Sequence, residues 1–365
     1  MAVGPQGPNA ITVTVTATIE TSDPIVLRAR NVLAEGDAIG SARAATRRYR
    51  LPYLDLEVAS TDAAYLEACE RTFARHAATD GAANTAARVR IVDAPGSAPS
   101  PGRIPMAERG EPDGIEAALT GRGLRMASYN DGFVQVYDVR RRTGVALIRR
   151  PRGYPPWELS SPLRPFLHWI YADIGPRMVH AATLGEDGRG VLIVGPGGAG
   201  KSSTVLAGMI GGLRSVGDDY VLVELGDPPV AFQVYRLVKQ DPSGFGRLGL
   251  DGLIARPGAV NWQGKHELAF DALGRGGWTE RVSLHAILVP TIRRAGRTIV
   301  SRLRPREAML ALAPSAVFQM PGDRKSGAHF LAKLVRRLPS FRLDLGTEGR
   351  EIARTIRGFI NDLPP

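Results

Sequence analysis

A chain of 365 residues, 44% of them apolar, is long enough to bury a sizeable core and to form about two domains. Its formal net charge of +11 comes mainly from arginine, and the runs Arg140–Arg142 and Arg149–Arg150 lack the interleaved aromatics of single-strand binders, so no nucleic-acid partner is expected. No apolar run of about 18 residues and no basic, apolar leader occurs, and Cys69 is the only cysteine, so the sequence predicts no membrane span, no disulfide framework, no cysteine-based zinc site and a cytoplasmic setting.

Ile11–Glu20 alternates β-branched residues with others and predicts a half-buried strand. Ser60–Ala78 predicts a helix capped by Ser60 or Thr61, with Ala64, Leu66, Phe73 and Ala74 on its apolar side and Cys69 as a small buried hydrophobe. Val89–Val92 reads as a strand, and the Pro-, Gly- and Ser-rich Ala94–Gly114 as a loop. Leu124–Ser128 and Phe133–Val139 flank Tyr129-Asn130-Asp131-Gly132 and predict a hairpin, to which Val145–Arg149 adds a third strand. Residues 1–160 are therefore expected to form a small α+β domain, and residues 161–365 an α/β domain.

The second domain opens with a helix over Leu163–Ile174 and a strand over Met178–Thr183. Tyr154, Trp157 and Trp169 are read as packing residues. His180 lies on that strand, 21 residues before Lys201. Val191–Leu213 then reads as strand, glycine-rich loop and helix, and Gly195, Gly200, Lys201 and Ser202 satisfy G-x-x-x-x-G-K-[ST]. Residues without a Cβ, here Gly195, Gly197, Gly198 and Gly200, let backbone N–H groups turn around phosphate oxygens at a helix N-terminus, where the dipole favours negative charge. Lys201 would reach the β- and γ-phosphates, Ser202 would be a ligand to Mg²⁺, and Ser203 extends the cradle. The expected ligand is ATP with Mg²⁺. Asp218 and Asp219 follow 17 and 18 residues after Lys201, where a P-loop kinase places carboxylates for Mg²⁺ and for accepting a proton.

The sequence VH at 179–180, the loop GPGGAGKSS and GDDYVLVE at 217–224 resemble the HPr kinase/phosphorylase group, whose P-loop kinase fold is similar to that of phosphoenolpyruvate carboxykinase. The resemblance implies a catalytic role for His180 and Lys201, a base at Asp218, and Mg²⁺ on Ser202 and Asp219. Pro196 stands where the HPr-acting members carry Asp, and Arg236–Gly246 lacks their Glu, so HPr and the reverse phosphorolysis are poor expectations. GKHEL at 264–268, LAPSAVFQMPG at 312–322 and the segment from Leu338 to Ile360 are instead similar to the HPr-kinase-like proteins of lasso-peptide biosynthesis. That likeness implies a kinase acting on a serine hydroxyl, in those relatives the C-terminal one, of a ribosomal precursor peptide. A small-molecule kinase and a non-catalytic nucleotide-binding regulator are the alternatives, and oligomerisation is left open. Arg293, Arg294, Arg297, Arg324 and Lys325 are candidates to clamp an acidic acceptor or the transferred phosphate.

Overall fold

The computed structural model describes residues 23–40, 44–73, 85–94, 118–130, 132–149, 153–250, 260–268, 272–273, 276–317, 322 and 324–364. The expected strand Ile11–Glu20, residues 95–114 of the expected loop and residues 74–78 of the first expected helix lie outside them. Among the described residues no helix is long and apolar enough to cross a membrane. The molecule is mixed α/β.

The N-terminal part begins with helix α1 (Pro24–Gly40), strands β1 (Ala45–Leu51) and β2 (Leu54–Ser60) and helix α2 (Ala63–Thr72). It continues with β3 (Thr85–Asp93), β4 (Leu124–Asn130), β5 (Phe133–Asp138) and β6 (Thr143–Ile148), giving one sheet in the order β1-β2-β3-β6-β5-β4. The hairpin and third strand fall where the sequence places them; α1, β1 and β2 come in addition. Helix α2 starts later than expected because Ser60 still belongs to β2. Asp62 is its N-cap, accepting the Ala64 N–H at 3.0 Å.

Side chains alternate across this sheet with the period of two that a pleated strand imposes. Val134, Val136, Val145 and Leu147 pack under α1, while Phe133, Tyr137, Ala146 and Ile148 face the opposite way. What covers that second face is helix α3 (Arg164–Ile174), reached through a short 3₁₀ turn at Glu158–Ser160. Phe166, Leu167, Trp169, Ile170 and Tyr171 of α3 are buried in one cluster with α2 and with Met178, Tyr220, Leu222, Val234 and Tyr235 from further along the chain. The helix that opens the second half of the sequence is thus part of the core of the first.

The expected strand Met178–Thr183 is two strands, β7 (Arg177–Val179) and β8 (Ala182–Glu186), broken at His180 and Ala181 because each pairs with a different partner. They are followed by β9 (Arg189–Ile193), helix α4 (Lys201–Ile210), β10 (Arg214–Ser215), β11 (Val221–Glu224), β12 (Val230–Phe232), β13 (Val238–Gln240) and the short helix α5 (Pro242–Arg247). Then come β14 (His266–Leu268), β15 (Ala272–Leu273), β16 (Gly276–Trp278), β17 (Arg281–Ala295) and β18 (Ile299–Arg302). Helices α6 (Pro305–Val317) and α7 (Arg324–Arg337), strand β19 (Ser340–Gly346) and helix α8 (Gly349–Asn361) end the fold.

Except for β13 and β14, which pair with each other, these strands form a second, larger sheet whose spine is β17: 15 residues long, it is parallel to both β9 and β19 and also pairs β12. Helices α4 and α8 cover one face and α6 and α7 the other. The burial of Ile352, Ile356 and Ile360 at helical spacing shows how α8 attaches, each side chain contributing roughly 1.5–3 kcal/mol.

Candidate functional site

The glycine-rich loop leaves the carboxyl end of β9, which lies between the antiparallel β8 and the parallel β17, and runs into α4, the position at which open α/β sheets gather ligands. Gly200 is the N-cap of α4 with φ 104°, and a Cβ there would stand 2.6 Å from Leu345 Cδ1, so this position needs glycine on both counts. Gly195 and Gly198 also have positive φ, 152° and 81°. The N-cap Gly200 makes no side-chain cap hydrogen bond to the first turn of α4, and a helix N-terminus of this kind suits an anion.

Lys201, the first residue of α4, is only 8% exposed, and its Nζ donates to the carbonyls of Gly195 at 2.8 Å and Pro196 at 3.3 Å. Burial pulls its ammonium pKa down, against the opposing attraction of Asp218 and Asp219. The Ser203 hydroxyl is engaged with the Gln240 amide, with separations of 3.1 and 3.3 Å, which ties the loop helix to β13.

Asp218 and Asp219 lie on the turn between β10 and β11 and have opposite environments. Asp218 is 3% exposed; its Oδ2 accepts the Lys239 backbone N–H at 3.2 Å, and its Oδ1 is buried with no hydrogen-bond partner among the described residues. Burial first, and the Asp219 charge second, push its carboxyl up to about 6, opposed by Ser202, the Lys239 N–H and Lys201. Asp219 is partly exposed on the cleft, and both its oxygens are taken: Oδ2 by Lys239 Nζ at 2.8 Å and Oδ1 by His180 Nε2 at 3.1 Å. Desolvation pushes this carboxyl up, but the Lys239 ammonium and the His180 contact outweigh it and hold it well below the usual range.

His180 therefore meets the acid pair because the break between β7 and β8 falls on it. Its ring lies 5.3 Å from that of Tyr220, which is in turn covered by the Arg164 guanidinium at 5.1 Å and accepts a 2.7 Å hydrogen bond from Arg164 Nη1. These groups and the loop line one cleft of about 580 Å³. Trp157 and Trp262, with ring centroids 5.7 Å apart, form another part of its wall, so Trp157 is a cleft residue and not, as expected, only a packing one. Trp169 is core, and Tyr154 packs edge-on against Tyr65 and Phe133.

The basic residues proposed as clamps are elsewhere. Arg293, Arg297, Arg324 and Lys325 do not line the cleft, and the Arg294 side chain lies outside the described residues; Arg293 instead pairs with Asp344 at 3.3 Å. The cleft's cations are Lys201, Lys239, Lys265, Arg164 and Arg247. A signal for them existed: in an arginine-dominated chain only five lysines occur, and three of the five come to this one cleft.

Ser202 supplies a hard oxygen and the loop supplies backbone amides of the sort that a triphosphate with a divalent cation requires, beside the buried Asp218 Oδ1, which has no hydrogen-bond partner among the described residues. Among the described residues no cluster of three or more His, Cys, Asp or Glu side chains is placed to hold a metal ion. No protein-family model matches the chain, and no curated protein matches it.

Proposed function

We propose that the chain is an ATP-dependent kinase of P-loop type that transfers the γ-phosphoryl group to a hydroxyl, that of a serine of a ribosomally made peptide. The observation that carries this reading is Asp218: a buried carboxylate with one free oxygen, facing Ser202 across a glycine-rich helix N-terminus.

In this reading the first-turn amides of α4 and Lys201 bind and orient the β- and γ-phosphates, and Lys201 leaves the Gly195 and Pro196 carbonyls to do so. Ser202 would hold Mg²⁺ together with the phosphates, with the ionised Asp219 as the compensating charge behind it; the cation, when bound, neutralises phosphate charge. The acceptor oxygen forms a bond to the γ-phosphorus, the bond to the β-bridging oxygen breaks, ADP leaves, and Asp218 takes the acceptor's proton. A base with its pKa near 6 is ionised at neutral pH and still basic enough to help. His180 and Lys239 hold Asp219 in place, and the stacked Arg164–Tyr220 pair closes that side of the cleft.

Support for a peptide acceptor comes from the segment GKHEL, similar to lasso-peptide kinases, which includes β14 and brings Lys265 into the cleft. The test is incubation with γ-labelled ATP and peptides encoded by neighbouring genes, followed by mass analysis. Added phosphate on a peptide hydroxyl supports the reading; tight ATP binding without transfer to any peptide or metabolite would favour a regulator.

A further inference from the structure

Two arginine-rich stretches, Thr46-Arg47-Arg48-Tyr49-Arg50 and Arg140-Arg141-Arg142, are about ninety residues apart in sequence and play no part in the nucleotide site. The fold brings them together. Helix α1 covers β3 to β6 but not the same face of β1 and β2, and the uncovered face is the floor of a trough of about 720 Å³. Five arginines line it (Arg48, Arg50, Arg88, Arg141 and Arg142) against two carboxylates, Asp55 and Glu57.

The carboxylates organise the arginines more than they neutralise them. Glu57 is shared by Arg48 at 3.1 Å and Arg88 at 2.6 Å, its neighbours on β1 and β3 in the sheet register, and Asp55 takes Arg50 at 2.9 Å. Such exposed pairs are weak, so a partner's carboxylate exchanges with them at little cost. At the rim runs β1, which among the described residues pairs only with β2, so that its other edge carries no strand, although the Thr46 carbonyl accepts from Arg47 Nη1 at 3.1 Å. Arg48 and Arg50 are two apart on that strand and so point to the same face, at the spacing of alternate side chains on a neighbouring strand.

We propose that this trough is a docking site for an acidic, extended polypeptide segment, which pairs with the edge of β1 and sets alternate carboxylates opposite Arg48 and Arg50. The field of Arg88, Arg141 and Arg142 lies behind them. A polypeptide fits better than a nucleic acid because the edge offers main-chain hydrogen bonds, which only a peptide backbone completes. Among the described residues the trough's one aromatic lining residue is Tyr49, whose ring packs against the core on the opposite face of β1 and is not offered to stacked bases. The proposal is independent of the phosphotransfer reading.

The experiment measures fluorescence anisotropy of a labelled decapeptide of alternating Glu and Thr with the full-length protein. Saturable binding that weakens with salt is expected, at least tenfold weaker in Arg48→Ser/Arg50→Ser and in Arg141→Ser/Arg142→Asn, Asn being chosen because residue 142 has φ 52°. Arg306→Ser/Arg350→Ser removes the same charge from exposed positions elsewhere and should bind as wild type. Arg48→Lys/Arg50→Lys, which keeps the charge, should retain most of the binding and separates loss of contact from loss of fold. Equal weakening in the control variant, no saturable binding, a tighter complex with oligo-dT, or undiminished binding of a peptide N-methylated at alternate residues would each overturn the proposal.

Discussion

Lys239 Nζ lies 2.8 Å from Asp219 Oδ2, while the backbone N–H of the same residue reaches Asp218 Oδ2 at 3.2 Å. One residue of β13 thus holds both members of the acid pair, by its charge on one and its backbone on the other. Lys239→Met removes only the first contact. It should cost about 1–3 kcal/mol by stranding a partly buried carboxylate, while Asp218 keeps its N–H. Chemical denaturation measures the loss, and an unchanged midpoint would show that Asp219 is supported by His180 alone.

Asp218→Asn should act in opposite directions on stability and activity. The folded-state pKa of Asp218 is raised to about 6 from an ordinary carboxylate value near 3.8, so its ionisation opposes folding above that window. The variant should therefore melt higher than wild type at pH 8, by about 1–3 kcal/mol, and this advantage should vanish as pH falls from about 6 to about 4. Acceptor phosphorylation should drop by about 10²–10⁴, with ATP affinity retained. A lower melting temperature at pH 8 would mean that the burial of Asp218 is relieved by a partner.

Wild-type turnover should fall as pH is lowered through about 6, following protonation of Asp218, whereas Asp219, held well below the usual carboxylate range, stays ionised there. A pH–rate profile at saturating ATP measures this. In Asp218→Asn the residual rate should lose that limb.

Lys201→Ala should abolish turnover and weaken ATP–Mg²⁺ binding in a calorimetric titration. The fold should tolerate the change, because among the described residues Nζ bonds only carbonyls of its own loop and removing a desolvated ammonium relieves burial.

Gly200→Ala should be the more damaging loop change. It forces an L-residue to φ 104° and places a methyl group 2.6 Å from Leu345 Cδ1, costs of about 1–3 kcal/mol for the backbone alone. Differential scanning calorimetry reads the loss; Gly197→Ala, with open space around its Cβ position, serves as the comparison.

The loop was legible in the sequence because its constraint is local: a strand, glycines at fixed offsets and a helix are all decided within 23 residues. The hairpin at 124–138 and its third strand were legible for the same reason. His180 was singled out by spacing, yet the feature that places it, an interruption of pairing between two differently paired strands, is visible only in the sheet register. Arg164, Tyr220, Lys239 and Trp262 reach the cleft from four separate elements, and no short-range pattern connects them. β1 was overlooked because Arg47, Arg48 and Arg50 give an edge strand little of the apolar alternation by which strands are recognised; β2 carries that alternation at Leu54, Leu56 and Val58 and was missed all the same.

The shared burial of α3 has a practical consequence for dissecting this protein. Phe166, Trp169 and Tyr171 are locked into the N-terminal sheet's core, Tyr235 bridges to Phe73, and Tyr171 Oη donates to the Pro52 carbonyl at 3.0 Å. A fragment starting at residue 161 would carry these aromatics into water as one contiguous sticky face, and its complement would lack a lid. Expressed separately, the two halves should aggregate, and mixed, they should recover solubility only by reassembling: the seam in the sequence is a place to split the gene for complementation, not to trim it.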